Sequence, residues 1–192
     1  MYTIEPGPFR LTCHPQTTSQ EVREIDVVPG EAKNDGITLA FRLVGDITDL
    51  AIPGPRSPRR ADNLWQHTCF EAFIMVDEGP GYREFNFSPS GEWAVYDFRG
   101  YRDASEQDAA LLTKPDPVIK VQQSLDRLEL TVELDQALLP QDSSLKLGLS
   151  AVVENGAGSK SYWALRHAPG KPDFHHADAF ALQLDAIQQE SS

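Results

Sequence analysis

The sequence predicts an all-β protein, an antiparallel β-sandwich, on three observations. Apolar and polar residues alternate with a period of two through most of the 192 residues, the pattern of strands with one buried face. No segment sustains a helical period beyond about two turns. The 13 Gly and 14 Pro fall at the joints between the alternating runs, where the turns of a sandwich or barrel need them.

The first clear strand sets Ile37, Leu39, Phe41 and Leu43 on one face and Thr38, Ala40 and Arg42 on the other. Leu128, Leu130, Val132 and Leu134 alternate in the same way with Glu129, Thr131 and Glu133. Leu145, Leu147, Leu149, Ala151 and Val153 alternate with Lys146, Gly148 and Ser150. Shorter runs over 9–14, 21–28, 93–98, 118–122, 161–165 and 180–184 bring the total to about ten strands. Residues 104–112 could form two helical turns capped by Ser105, and 134–139 a single turn closed by Pro140. The Pro-rich stretch 52–58 reads as a surface loop. The length fits one domain over 1–192, with a core at about 9–185 and a polar tail at 186–192.

Charge and composition narrow the partners. Against 17 Lys and Arg stand 29 Asp and Glu, a net charge of −12, which repels phosphate backbones and anionic lipid. Neither nucleic acid nor membrane is expected, the only dense basic run being the Pro-rich 56–60. The N-terminal residues lack the apolar core of a secretory signal, and no apolar run is long enough to span a bilayer, so a cytoplasmic protein is expected. Cys13 and Cys69 lack metal or redox spacing and read as reduced, mostly buried thiols. His167, His175 and His176 match no zinc motif, so no metal is expected; Phe174 should plug the core while a histidine bonds loop backbone. No nucleophile elbow or phosphate-cradling Gly loop is present.

The most informative stretch is 63–102, where two strands meet through Asp77, Glu78, Gly79 and Pro80. Pairing Phe70 with Phe87 and Ala72 with Phe85 buries both apolar rows together. The opposite face then pairs Glu71 with Asn86, Phe73 with Glu84 and Cys69 with Ser88. Such a mixture of acid, amide, hydroxyl and apolar surface suits a ligand with both CH edges and hydroxyls. The plainer alternative is a polar face turned to water. Trp65 lies six residues before Glu71, and Trp93 and Trp163 lie in later strands. Each is able to stack on a sugar ring, or to be a buried structural tryptophan.

The segments LWQHTCFEAFI, YREFNFSPSGEWAVYDF and GKPDFHHADAFALQL, in this order, resemble the acidic strand, the Tyr/Phe-Glu-Phe-Asn strand and the Phe-His closing motif of bacterial DOMON-like proteins related to family 9 carbohydrate-binding modules. The resemblance implies a jelly-roll-like β-sandwich binding a small ligand, a sugar in the carbohydrate-binding modules and heme in some DOMON domains. It implies a stacking role for Trp65, a hydrogen-bonding role for Glu71 and a second aromatic wall at Trp163. For heme it implies a Met with a His or Lys as axial ligands, for which Met75 is the internal methionine.

The expected site is therefore a concavity formed by Trp65, Glu71, Glu84, Asn86 and Trp163, with Arg102 and His175 at its rim. The leading function is non-catalytic binding of a sugar or similar polyol, with no cofactor. Heme in the same place is the first alternative. Hydrolysis by Glu71 and Glu84 is the second, and it would need the carboxyls to flank a cleft about 5–10 Å apart. Nothing in the sequence sets an oligomeric state.

Overall fold

The alternating runs become strands whose apolar rows face one another across two layers. The computed structural model describes residues 2–3, 5–33, 35–76, 79–105, 114–140 and 144–186. Its strands are β1 (Tyr2–Thr3), β2 (Phe9–Cys13), β3 (Val22–Glu31), β4 (Ile37–Gly45), β5 (Cys69–Val76), β6 (Tyr82–Phe87), β7 (Trp93–Gly100), β8 (Asp103–Ala104), β9 (Val118–Gln123), β10 (Arg127–Leu134), β11 (Leu145–Glu154), β12 (Lys160–Ala164) and β13 (Leu182–Ala186). All ladders between them are antiparallel.

The strands form one ribbon in the order β8-β7-β6-β5-β11-β12-β2-β3-β4-β10-β9, with β13 beside β11 and β1 beside β13. The short β2, paired with β12 on one side and β3 on the other, is where the ribbon folds over. The two halves then press their inner faces together, and Phe41 of β4 meets Phe70 of β5 with ring centroids 5.1 Å apart. Phe70, Ala72, Ile74, Phe85, Phe87, Leu128, Leu130, Val132, Leu147 and Leu149 all point into this core. Sliding any of these strands by one residue would exchange an apolar row for a polar one, which fixes the register.

Local departures from the sequence reading have local causes. β3 runs on through Pro29, opposite Leu39; its ladder to β2 ends at Val27, so the missing proline N–H faces an edge. β13 starts later than expected because Ala177–Ala179 closes into a 3-10 turn, the side chain of His176 accepting the Asp178 N–H at 3.2 Å. The turn expected after β10 forms over Gln136–Leu138, with Asp135 accepting the Ala137 N–H at 2.8 Å. Of the helix expected over 104–112, Ala104 instead ends β8, and residues 106–112 lie outside the described residues, as do 187–192 of the expected tail. The fold takes in Tyr2–Thr3, ahead of the expected core boundary, through pairing with β13.

The basic run 56–60 is neutralised locally. Arg56 and Arg59 reach Glu92, and Arg60 pairs with Asp62. Among the described residues no helix is long and apolar enough to cross a membrane.

Candidate functional site

The β5–β6 hairpin has the expected register, Phe70 opposite Phe87, Glu71 opposite Asn86 and Phe73 opposite Glu84. The outer face of its layer therefore presents Glu71, Phe73, Glu84, Asn86, Tyr96, Phe98, Val152 and Tyr162, the last four contributed by β7, β11 and β12. A second apolar cluster covers part of this face, with Phe174 and Phe180 of the C-terminal segment packed on Phe73 and Tyr82. Gly148 opposite Phe73 permits the close approach. A Cβ there would stand 3.1 Å from the Ala179 carbonyl oxygen.

Beside this cover the face opens into a cleft of about 680 Å³, whose lining includes Trp65, Glu71, Glu84, Tyr96, Arg102 and His175. Trp65, Glu71, Glu84, Arg102 and His175 are thus brought together as expected. Trp65 stands on a 3-10 turn, Leu64–Gln66, and remains 48% exposed. Asn86 is on the expected face but wholly buried beneath the cleft, donating to Glu84 Oε1 at 2.6 Å. It positions a wall residue and is not itself part of the lining.

Trp163 is the correction. Strand β12 pairs Trp163 with Ala151 and Tyr162 with Val152, so period two sends Trp163 into the core between the layers and Tyr162 into the cleft. Trp163 is 6% exposed, its indole N–H donating to Ser161 at 2.9 Å. Trp93 turns inward as well. The aromatic partners of Trp65 are instead Tyr96, Phe98, Tyr162 and Phe174. The alternation of Trp93, Val95 against Ala94, Tyr96, Phe98 was visible in the sequence. Which of the two rows faced outward required the cross-strand register.

Glu71 and Glu84 are 3% and 6% exposed, so the water-facing alternative for this hairpin face does not hold. Burial, and then the neighbouring Glu84 charge, hold the Glu71 carboxyl well above the usual carboxylate range. Burial also raises Glu84, opposed by the Asn86 hydrogen bond and by Arg102. The same burial and both acids push the Cys69 thiol far up, which leaves it an inert structural group. A group protonated more readily in the folded than in the unfolded chain stabilises fully below its ordinary pKa and loses that contribution as pH rises through its folded value. Glu71→Gln is therefore expected to raise stability at neutral pH by roughly 1 kcal/mol and to flatten its decline above the ordinary Glu pKa of 4.5. Urea melts at several pH values check this, and a variant less stable than the parent at neutral pH would count against it.

His175 is boxed by Phe73, Tyr82 and Phe98, at ring centroid distances of 5.2, 5.8 and 5.1 Å. Burial lowers its pKa to about 4, Arg102 adding to the effect and Asp173 opposing it, so the imidazole is neutral near pH 7. Tyr82 Oη accepts the Arg102 backbone N–H at 3.2 Å and lies 2.7 Å from His175 Nδ1. Donating its own proton to Nδ1 leaves the imidazole proton on Nε2, which faces Glu84 Oε2 at 3.7 Å. Arg102 in turn pairs with Asp173 at 2.9 Å, and Tyr101 donates to the same carboxylate at 2.6 Å.

Among the described residues three non-glycine residues adopt positive φ, Asp35, Asn63 (62°) and Arg102 (54°), and the last two line the cleft. Asn tolerates that region, whereas for Arg it costs about 1 kcal/mol or more. The tie from Arg102 to Tyr82 and Asp173 holds it there.

His167 Nε2 meets the Thr12 carbonyl oxygen of strand β2 at 2.7 Å, and it is His176 that bonds turn backbone, accepting the Asp178 N–H, while Phe174 fills the second cluster and not the main core. Among the described residues no group of three or more His, Cys, Asp or Glu is placed to hold a metal ion.

The site is thus a polar and aromatic cleft on the outer face of an antiparallel β-sandwich. The chain is similar in fold to a candidate carbohydrate-binding protein from Bacteroides uniformis, with a TM-score of 0.59 at 13% identity over 94% of this chain and 85% of that one. No protein-family model and no curated protein sequence matches the chain.

Proposed function

We propose that the protein is a non-catalytic binding module whose cleft takes a sugar or a similar polyol. The carrying observation is the junction of a half-exposed Trp65 with the buried carboxyls of Glu71 and Glu84 in one cleft. A sugar ring needs an aromatic plate for its CH face and charge-assisted acceptors for its hydroxyls, since neither alone competes well with water. The likeness in fold to the Bacteroides uniformis protein and the motif resemblance to family 9 carbohydrate-binding modules and DOMON-like proteins support this reading.

Two observations weigh against the alternatives. Glu71 and Glu84 are diagonal neighbours on one face, so both approach a ligand from the same side, whereas glycosidic hydrolysis uses carboxyls that flank the bond. Met75 packs on the second aromatic cluster and is not part of the cleft lining, so it and His175 do not form an axial pair across the cleft.

A screen of mono- and oligosaccharides read by tryptophan fluorescence tests the proposal, Trp65 being the exposed indole. Saturable quenching by a saccharide is the expected result. No response to any saccharide, together with a Soret band on adding hemin, would replace it with the heme reading.

A further inference from the structure

One buried carboxylate would serve a neutral sugar, yet this cleft has two. Glu71 and Glu84 occupy diagonal positions on β5 and β6, which sets them about 7–8 Å apart with their Cβ atoms somewhat closer. Among the described residues neither has a Lys or Arg in an ion pair. The rim cations are engaged elsewhere, Arg102 with Asp173 and Arg60 with Asp62, each at 2.9 Å. Glu84 accepts the Asn86 amide at 2.6 Å and has the imidazole of His175 at 3.7 Å.

Glu71 is the sharper case. It is 97% removed from solvent by the measure of 3% exposure, accepts one hydrogen bond, from Ser150 at 3.4 Å, and still lines the cleft. A buried like-charged pair must take up either a proton or a cation. The same cleft is lined by the electron-rich rings of Trp65 and Tyr162, which attract a cation to their faces, as Tyr96 already does for Arg60, 5.4 Å from its ring centroid.

We infer that the ligand carries a protonated amine among its hydroxyls, as an amino sugar or amino polyol does, with the ammonium group seated between Glu71 and Glu84. The inference rests on the polyol-binding reading and narrows it. An ammonium nitrogen between the two carboxyls donates to both at ordinary charge-assisted distances of about 2.7–2.9 Å. Its charge then offsets the repulsion between the two buried carboxyls. The ring CH face remains free to lie on Trp65. A neutral hydroxyl in the same place would satisfy the hydrogen bonds but would leave the two carboxyls without an ion-pair partner in contact.

Matched ligands separate charge from shape. Glucosamine is compared with glucose, and the chitosan disaccharide with cellobiose, at about pH 6.5, where such an amine is protonated. N-acetylglucosamine serves as the uncharged control of similar bulk. In calorimetric titrations the amino ligands are expected to bind at least about tenfold tighter than their neutral partners, the weight of one charge-assisted bond. In Glu71→Gln, shown to be folded by its melting curve, the amino-to-neutral affinity ratio should fall to within about threefold, whatever the change in absolute affinity. If the parent binds glucose or cellobiose as tightly as the amino ligand, the inference is overturned and the polyol reading stands. A ratio that survives in both Glu71→Gln and Glu84→Gln overturns it as well. If none of these saccharides binds, the polyol reading fails and the inference with it.

Discussion

Trp65→Ala is expected to abolish measurable saccharide binding while leaving the fold almost untouched, and Trp163→Ala is expected to do the reverse. Trp65 is 48% exposed on a short 3-10 turn outside both apolar clusters, so its truncation should change stability by less than about 1 kcal/mol. As the cleft's exposed aromatic plate it should contribute about 2–4 kcal/mol to binding, a loss of roughly 30- to 1,000-fold in affinity. Trp163 is packed in the inter-layer core at 6% exposure and bonded to Ser161. Its truncation leaves a cavity worth about 3–5 kcal/mol of stability. Chemical denaturation and titration of both variants check the pair. A Trp65→Ala protein that unfolds, or that binds a confirmed saccharide unchanged, would refute the stacking role.

Acidification from pH 6.5 towards 4 is expected to withdraw a stabilising contribution from His175 that a His175→Gln variant lacks. Three rings enclose the imidazole and burial lowers its pKa from 6.5 to about 4. For a base depressed in the folded state, the unfolded chain takes up the proton first. The contribution is whole above pH 6.5 and disappears as pH falls through the folded value. A shift of this size corresponds to about 3 kcal/mol. Glu71 and Glu84 act with the opposite sign in the same range, because their folded pKa values are raised. Stability differences between parent and variant are therefore the useful quantity, since the acid pair is common to both. The parent should lose about 3 kcal/mol more than the variant across the window. Parallel stability curves would show that the histidine is charged, or exposed, in the folded protein.

The neutral histidine bears on the cleft as well as on stability. Tyr82 holds Nδ1, so Nε2–H is presented towards Glu84, and protonation would place a charge among three aromatic rings. The position of Arg102 at positive φ, anchored by Asp173 and by the Tyr82 hydroxyl, belongs to the same network. A local backbone cost is thereby held at the edge of the site by bonds that the turn alone would not supply.

Period-two alternation by itself determined which residues of each strand share a face, and with it the sandwich and its core. It also determined the β5–β6 register, because a two-stranded hairpin with one apolar face has a single pairing that buries both rows, and Glu71, Glu84 and Asn86 follow onto the other face. Trp65 and Glu71 were legible as a pair for the same local reason. Tertiary structure decided what alternation cannot, namely which strand lies beside which and what covers the outer face. The β12 to β11 ladder, whose strands are remote from the hairpin in sequence and adjoin it only in the sheet, turned Trp163 inward and put Tyr162 in its place. The C-terminal segment, laid over Phe73 through the space at Gly148, brought His175 to 3.7 Å from Glu84 and Phe174 into the cleft wall. Side-chain direction along a strand is a local consequence of backbone geometry, whereas burial and charge environment depend on residues brought close by the whole fold.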